Sequence, residues 1–248
     1  MHGASAVRKN FVPADIADCR CWLRSDLGVG LVGSKVADWR CQVSGTSFSR
    51  SVDAERPTYA AGANGVPKIV FAGSHALKNS SLFMSGPSTV LQIIRLTSTL
   101  GASTSFVSYV YQSAASSTTR SLFIFMNVGG YQNVTFKNDL NASGISVGFN
   151  PTLDTTLHAF LTSYNGGLNT STGSYAENTD GAEQSVVASA SIGSASAFFT
   201  SLGGTITDPG DVVADGVSAD LYEWALWSRP LSLTEKLSIW GYVKNRYP

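Results

Sequence analysis

Two carboxylates near the C-terminus, Asp220 and Glu223, are the first candidates for chemistry in this chain. Glycoside hydrolysis needs a carboxyl pair about 5–10 Å apart. The one-strand arrangement that achieves it, Glu-x-Asp-x-x-Glu, does not occur. Asp220 and Glu223 are three apart, so on a regular strand they face opposite sides. Glu223 therefore reads as a structural carboxylate that accepts backbone or arginine hydrogen bonds, and Asp220 as a strand-edge or turn residue. The histidines are His2, His75 and His158. His158 lies in the apolar run Leu157-His-Ala-Phe-Leu161 and reads as a packed histidine, not a base. No His-Glu-x-x-His occurs, and in a serine-rich chain nothing selects one serine for a triad. No catalytic residue is assigned, and the chain is expected not to be an enzyme.

Binding chemistry has more candidates. Sugars are held by an aromatic face together with amide and carboxylate hydrogen bonds. Tyr131, Asn133, Tyr164, Asn165, Asn169 and Tyr175 are exposed-looking candidates of those types, each of which also reads as a turn or strand-surface residue. No cofactor is expected, although calcium is compatible with one segment. That ion takes six to eight oxygens from carboxylates and carbonyls, and Asp208, Asp211 and Asp215 in Asp208-Pro-Gly-Asp-Val-Val-Ala-Asp215-Gly216 would supply them. The spacing is not that of an EF-hand, and a solvated turn accounts for the same residues. Cys19, Cys21 and Cys41 are too few for a disulfide framework. Cys19 and Cys21 share one strand face. Buried reduced thiols are the plain reading, with a disulfide to Cys41 or a metal as the alternatives.

The elements that must position these residues are strands. The chain is 248 residues long, 43% hydrophobic and only 14% charged, with 24 glycines. It is too apolar for disorder and rich in turn formers. Strands read at Cys19–Ser25, Lys68–Phe71, Val90–Leu96, Ser105–Tyr111, Ser121–Val128, Tyr131–Phe136, Leu157–Tyr164, Val186–Ile192 and Ala197–Leu202, with Asn64-Gly65 a strong turn signal. From Ala219 to Trp227 apolar residues dominate, as in a strand packed on both sides. Arg229-Pro230 ends it. Ser232 and Glu235 form a capping box, and Leu233, Leu237 and Trp240 follow at helical spacing. Residues 1–12 read as a flexible arm and 13–248 as one domain.

Lys+Arg and Asp+Glu both number 17, which argues against nucleic acid, bound mainly by neutralising phosphates. No run approaches the ~18 apolar residues of a membrane span, and Met1–Pro13 lacks a signal-peptide core. Synthesis in a cytoplasm without secretion is expected, and a virion protein released by lysis would look the same.

Several segments together resemble the laminin-G-like, concanavalin A-like jelly-roll domains of bacterial and phage proteins. At the C-terminus the matching residues are Asp220, Leu221, Glu223, Trp227, Arg229, Leu231, Ser232, Glu235 and Tyr247. At the N-terminus they are Trp22-Leu23-Arg24-Ser25-Asp26, Val36 to Trp39, Ser44-Gly45, Arg56-Pro57-Thr58-Tyr59, and Asn64-Gly65-Val66-Pro67 leading to Phe71-Ala72-Gly73. One position departs: the acid usual two residues after the tryptophan is Cys41. The resemblance implies an all-β fold, a two-sheet antiparallel jelly-roll sandwich with a short C-terminal α-helix. It also implies a non-catalytic binding or structural module: a phage virion-associated protein (decoration, fibre or tail) or a bacterial surface-type protein. Such a module presents loops to glycans or to neighbouring virion or surface subunits. A homo-oligomer is compatible with this, and no membrane insertion is expected. The alternative is a carbohydrate-active enzyme, a polysaccharide lyase or glycoside hydrolase, on the same fold.

Overall fold

The computed structural model describes residues 11–82, 87–97, 104–110, 120–126, 132–137, 144–149, 156–164, 171–177, 184–188, 199–207, 212–214, 216 and 218–248. Between 104 and 149, and between 171 and 188, the description is of the backbone alone. The strands are β1 (Cys19–Arg24), β2 (Val29–Val32), β3 (Lys35–Arg40), β4 (Ser47–Ser49), β5 (Thr58–Ala60), β6 (Lys68–Phe71), β7 (Leu77–Asn79), β8 (Ser88–Leu96), β9 (Thr104–Val110), β10 (Arg120–Met126), β11 (Gln132–Lys137), β12 (Gly144–Phe149), β13 (Leu157–Tyr164), β14 (Ser171–Glu177), β15 (Gln184–Ala188), β16 (Phe199–Leu202), β17 (Thr205–Thr207), β18 (Val212–Ala214) and β19 (Ala219–Trp227). The helix is α1 (Leu233–Arg246).

The described pairings are antiparallel; β17 and β18 pair only with each other, and the remaining strands make two sheets. One runs β15-β14-β13-β8-β19, with β1 and β6 sharing the far edge of β19 and β5 beyond β6. The other runs β12-β11-β10-β9-β16-β7-β4-β3-β2. A single bridge, Lys35 to Thr58, stitches them at one margin. This is the two-sheet antiparallel jelly-roll sandwich with a short C-terminal helix that the sequence predicts.

Alternation along β19 explains the layering. Leu221, Trp224 and Leu226 point between the sheets, against Trp39, Phe48 and Leu77 of the facing sheet. Tyr222, Ala225 and Trp227 point to the outer face, where Ile239, Trp240 and Val243 of α1 cover them. All nine residues of β19 are buried, as a strand packed on both sides requires. Asn64 and Gly65 adopt the left-handed conformation that their turn signal predicts (φ 54° and 74°).

Three features differ from the sequence reading. First, β12 and β14 are not foreseen, because Gly, Ser and Thr dilute their apolar signal; pairing to β11, and to β13 and β15, makes them strands regardless. Second, α1 buries Ile239, Trp240 and Val243 rather than the Leu233, Leu237, Trp240 stripe. Leu233 and Leu237 are 69% and 56% exposed. The helix is rotated by the polar anchor of Tyr242 and Arg246 on its inner side, described below. Third, Phe11 and Val12 belong to the folded part and not to an arm. Both pack on the outer-face cluster, and the Val12 N–H donates to Asp15 Oδ2 at 3.0 Å.

The helix start is as the sequence predicts. Ser232 Oγ accepts from Glu235 N, and Glu235 Oε2 accepts from Ser232 N at 2.8 Å. Arg229 adds a two-pronged contact to the same carboxylate, at 2.9 and 2.6 Å. The Arg229 guanidinium first, and the Ser232 donors after it, outweigh desolvation and hold the Glu235 carboxyl down to about 2. A folded-state value below the unfolded one stabilises above the unfolded carboxyl range, and the gain is lost as pH falls through about 2. Discounted for solvent screening, the cap contributes on the order of 1 kcal/mol. Urea unfolding of Glu235→Gln should therefore show a loss of about that size near neutral pH that disappears toward pH ~2. An equal loss at both ends would show that charge plays no part.

Candidate functional site

The site grows from one irregularity in β19. Opposite β8, Asp220 pairs with Arg95 and Leu221 with Ile94, but it is Glu223 that pairs with Ile93. Tyr222 is the extra residue of a β-bulge, which resets the alternation of the strand. Asp220 and Glu223 consequently lie on the same outer face, opposite to the expectation from regular strand parity. Nor is Asp220 an edge or turn residue. It is buried within β19, where Lys68 Nζ and Arg95 Nε both donate to Oδ2 at 2.9 Å.

Glu223 is fully buried and is held by side chains rather than by backbone. Trp22 Nε1 donates to Oε1 at 2.5 Å, the Tyr242 hydroxyl lies 2.9 Å from both oxygens, and the Tyr247 hydroxyl donates to Oε2 at 2.8 Å. Arg246 Nε stands 3.5 Å from Oε2. Burial pushes the Glu223 carboxyl up, against the pull of those donors and of the guanidinium. Burial, and then the charge of Glu223, raise both phenols, so they stay protonated and donating. Asp26 carries the network outward: Arg24 grips it at 3.0 and 2.6 Å, and Arg246 pairs with it at 2.9 Å. Burial opposes ionisation of Asp26, but the two guanidiniums outweigh it and hold the carboxyl below its usual range.

Above this network lies an open cavity of about 800 Å³. Its walls are Phe11 and Val12 of the N-terminal segment, Arg24 of β1, and Tyr242, Asn245 and Arg246 of α1. Ser238, Gly241 and Asn245 lie one helical turn apart on the same face of α1 and also border it. A side chain at Gly241 would meet nothing within 4 Å, so the cavity reaches the helix backbone there. Phe11 meets Tyr242 edge to face, with ring centroids 6.5 Å apart. Two guanidiniums fixed by carboxylates behind them, an amide, a hydroxyl and an aromatic wall suit a small polar ligand carrying a carboxylate or other anion.

Tyr131, Asn165, Asn169, Asp208, Asp211 and Asp215 lie outside the described residues, and Asn133, Tyr164 and Tyr175 are described by their backbone alone. Tyr175 pairs with Thr162, two residues from Tyr164, so the two tyrosine positions share one face of adjacent strands. Asn133, on β11, belongs to the other sheet. Among the described residues, no cluster of three metal-ligating side chains occurs. His158 is buried, stacked on Phe160 at 5.6 Å with Thr156 Oγ1 3.3 Å from Nε2, the packed histidine its context predicts. The string Gly144-Ile-Ser146-Val-Gly148 has the spacing of a nucleophile elbow, but it is a strand paired along its length to β11, not a strand-to-helix turn. The cavity itself is missed by sequence reasoning, because its residues come from three segments with no motif among them. The one available signal was Glu223, an acid inside a strand too apolar to hold it unpartnered.

No protein-family model matches the chain, and no curated protein sequence matches it. Solved structures do. The binding domain of botulinum neurotoxin DC, in complex with SialylT, superposes with a TM-score of 0.61 at 7% identity, over 92% of this chain and 52% of that one. The CBM40 of the Ruminococcus gnavus IT-sialidase gives 0.56 at 12% identity, over 69% of this chain and 95% of that one; a second structure of that CBM40 has α2,3-sialyllactose bound. Trypanosoma rangeli sialidase in complex with sialic acid gives 0.55 at 12% identity, over 95% of this chain but 35% of the enzyme. The chain thus spans about half the toxin binding domain and a third of the sialidase. At these identities the likeness is one of fold.

Removing the Glu223 carboxylate leaves an indole N–H, two phenols and a guanidinium without their shared acceptor. Glu223→Ala should cost about 3–5 kcal/mol in urea unfolding, whereas Gly241→Ala should gain about 0.5–1 kcal/mol by restoring helix propensity in open space. A Glu223→Ala loss under about 1 kcal/mol would show that the network is not worth its burial.

Proposed function

We propose that the chain is a non-catalytic glycan-binding module that takes an acidic sugar in the cavity between β1 and α1. The observation that carries this reading is the pair Arg24 and Arg246, oriented by Asp26 and Glu223 and bordering a cavity walled by Phe11 and Tyr242. A guanidinium presents a rigid fork to a carboxylate, and an aromatic wall accepts the apolar face of a pyranose. The fold neighbours lend support, since structures among them hold sialyllactose, sialic acid and SialylT. The laminin-G-like resemblance of the two chain ends extends the proposal to context: a virion-associated or bacterial surface-type protein that attaches to glycan-bearing surfaces. Tyr131, Asn133, Tyr164, Asn165, Asn169 and Tyr175 remain the second set of candidate sugar-binding residues.

Calorimetric titration with α2,3-sialyllactose and with lactose tests the reading. Charged hydrogen bonds of about 1.5–3 kcal/mol predict that lactose binds roughly ten- to a hundred-fold more weakly. Gly241→Leu, which fills the cavity from an unobstructed position, should abolish binding while leaving the fold intact, and Phe11→Ala should weaken it several-fold. Equal affinity for the two sugars, or no binding of either, rejects the acidic-sugar reading. Binding that survives Gly241→Leu but is lost in Tyr131→Ala moves the site to the turns. Release of free sialic acid on prolonged incubation would overturn the non-catalytic part.

A further inference from the structure

Away from the cavity, Cys21 and Cys41 meet at the inner face of β1, whereas a register shift between Cys19 and Cys21 turns Cys19 to the outer-face cluster, so the two do not share the one face that regular alternation predicts. Cys19 is half-buried, and Cys21 and Cys41 are buried; none is in a disulfide. They do not share one environment. Cys21 follows the alternation of β1 into the core between the sheets, beside Leu23. Cys41 immediately follows β3, where the chain turns through Gln42–Gly45 toward β4, and Thr46 O accepts the Cys41 N–H at 2.8 Å. Its sulfur does not behave as a small hydrophobe. Three backbone N–H groups point at it: Val43 at 3.4 Å and Ser44 at 3.3 Å from its own turn, and Trp22 at 3.4 Å from β1. The Arg20 carbonyl lies 3.8 Å from the same sulfur. Cys41 Sγ is thus seated beside the Cys21 residue of β1, between the carbonyl before it and the N–H after it.

Converging N–H groups around a sulfur are the surroundings of an anion. Neutral thiols are weak acceptors, so three donors on one sulfur stabilise the thiolate. Hydrogen bonding from Cys21, opposed by desolvation and aided by the Ser44 and Val43 donors, brings the Cys41 thiol down to about 5. Burial, first, and the neighbouring Cys41 push Cys21 well up, and burial pushes Cys19 up to about 12. The asymmetry is that of an attacking thiolate beside a protonated resolving thiol.

We infer that Cys41 and Cys21 form a peroxide-sensitive thiol pair, closing to a disulfide that ties β1 to the turn after β3. The Cys41 thiolate attacks one peroxide oxygen; the S–O bond forms, the O–O bond breaks, and the departing hydroxide takes the proton of the Cys21 thiol to leave as water. The Cys21 thiolate then attacks Cys41 sulfur; the S–S bond forms and the S–O bond breaks, releasing a hydroxide that solvent protonates to a second water. Two thiols are oxidised and one hydrogen peroxide is reduced. Cys41 as a residue is 2% exposed, yet the turn that follows it is open to solvent, with Val43 43% exposed. That access suits a molecule of peroxide size and not a bulky disulfide reagent. Because β1 also carries Trp22 and Arg24 on its other face, the bond would fix the strand that supports the cavity.

The test is mass spectrometry of the folded chain after graded hydrogen peroxide, with mapping of the cross-linked peptides. The expected product has lost two hydrogen atoms, joins Cys21 to Cys41, leaves Cys19 open to alkylation, and melts at a higher temperature than the reduced chain. In Cys21→Ser, Cys41 should accumulate as a sulfenic acid that dimedone traps. In Cys41→Ser, Cys21 should resist the same peroxide dose at least ten-fold longer. Thermal melts of both variants confirm that each is folded at the time of treatment, and the wild-type measurement stands without them. A disulfide through Cys19, direct over-oxidation of Cys41 with Cys21 still free, or thiols unchanged at doses that oxidise the urea-unfolded chain would each overturn the proposal.

Discussion

One buried carboxylate sets the terms for this molecule. Placing Glu223 in the interior costs several kcal/mol of hydration, and the strand that carries it offers no backbone donors, since these are committed to β1 and β8. Its partners must therefore come from elsewhere, and they come from both ends of the chain. Trp22 lies 201 residues away, while Tyr242 and Tyr247 belong to the C-terminal helix and its cap. The carboxylate thereby fixes which side of α1 faces the sheet. Tyr242 and Arg246 must reach inward, so Ile239, Trp240 and Val243 pack beside them and Leu233 and Leu237 turn to solvent. Arg246, once placed, reaches Asp26, and Asp26 orients Arg24. The cavity follows from that chain of contacts.

β1 shows how much function alternation can distribute. Its inward positions, Cys21 and Leu23, enter the core between the sheets, and Cys41 packs in the same core against the backbone of β1. Its outward positions, Trp22 and Arg24, serve the carboxylate network and the cavity. Two unrelated chemistries, thiol and guanidinium, thus occupy opposite faces of a six-residue strand. Holding that strand more tightly at the thiol face restricts it at the other.

Much of the fold was legible from residues. The run from Ala219 to Trp227 could be nothing but a strand buried on both faces, and Ser232 with Glu235 marked the helix start to the residue. Asn64-Gly65 placed a left-handed turn. Strands whose backbone pairs without an apolar signal, such as Ser171–Glu177, were not legible, because neighbours and not side chains make them strands. The site was hidden by a single inserted residue. Parity over Asp220–Glu223 predicts divergence, and the Tyr222 bulge reverses it. No local pattern announces a bulge of that kind, since it answers to a carboxylate that needs donors from 201 and 24 residues away. Cys41 was hidden in the same way. The sequence shows three cysteines, but only the turn at Gln42–Gly45 shows that one sulfur is an acceptor.

The central claim is that the Glu223 network holds α1 and β1 together as one unit and so builds the cavity. Native-state hydrogen exchange on wild type and Glu223→Gln measures this directly, since the amide keeps the volume while halving the acceptors. The account predicts that amides of Leu233–Arg246 and of Cys19–Arg24 lose protection by similar factors, while those of β8 and β13 change little. Unchanged protection of the helix, or a uniform loss across both sheets, would contradict it.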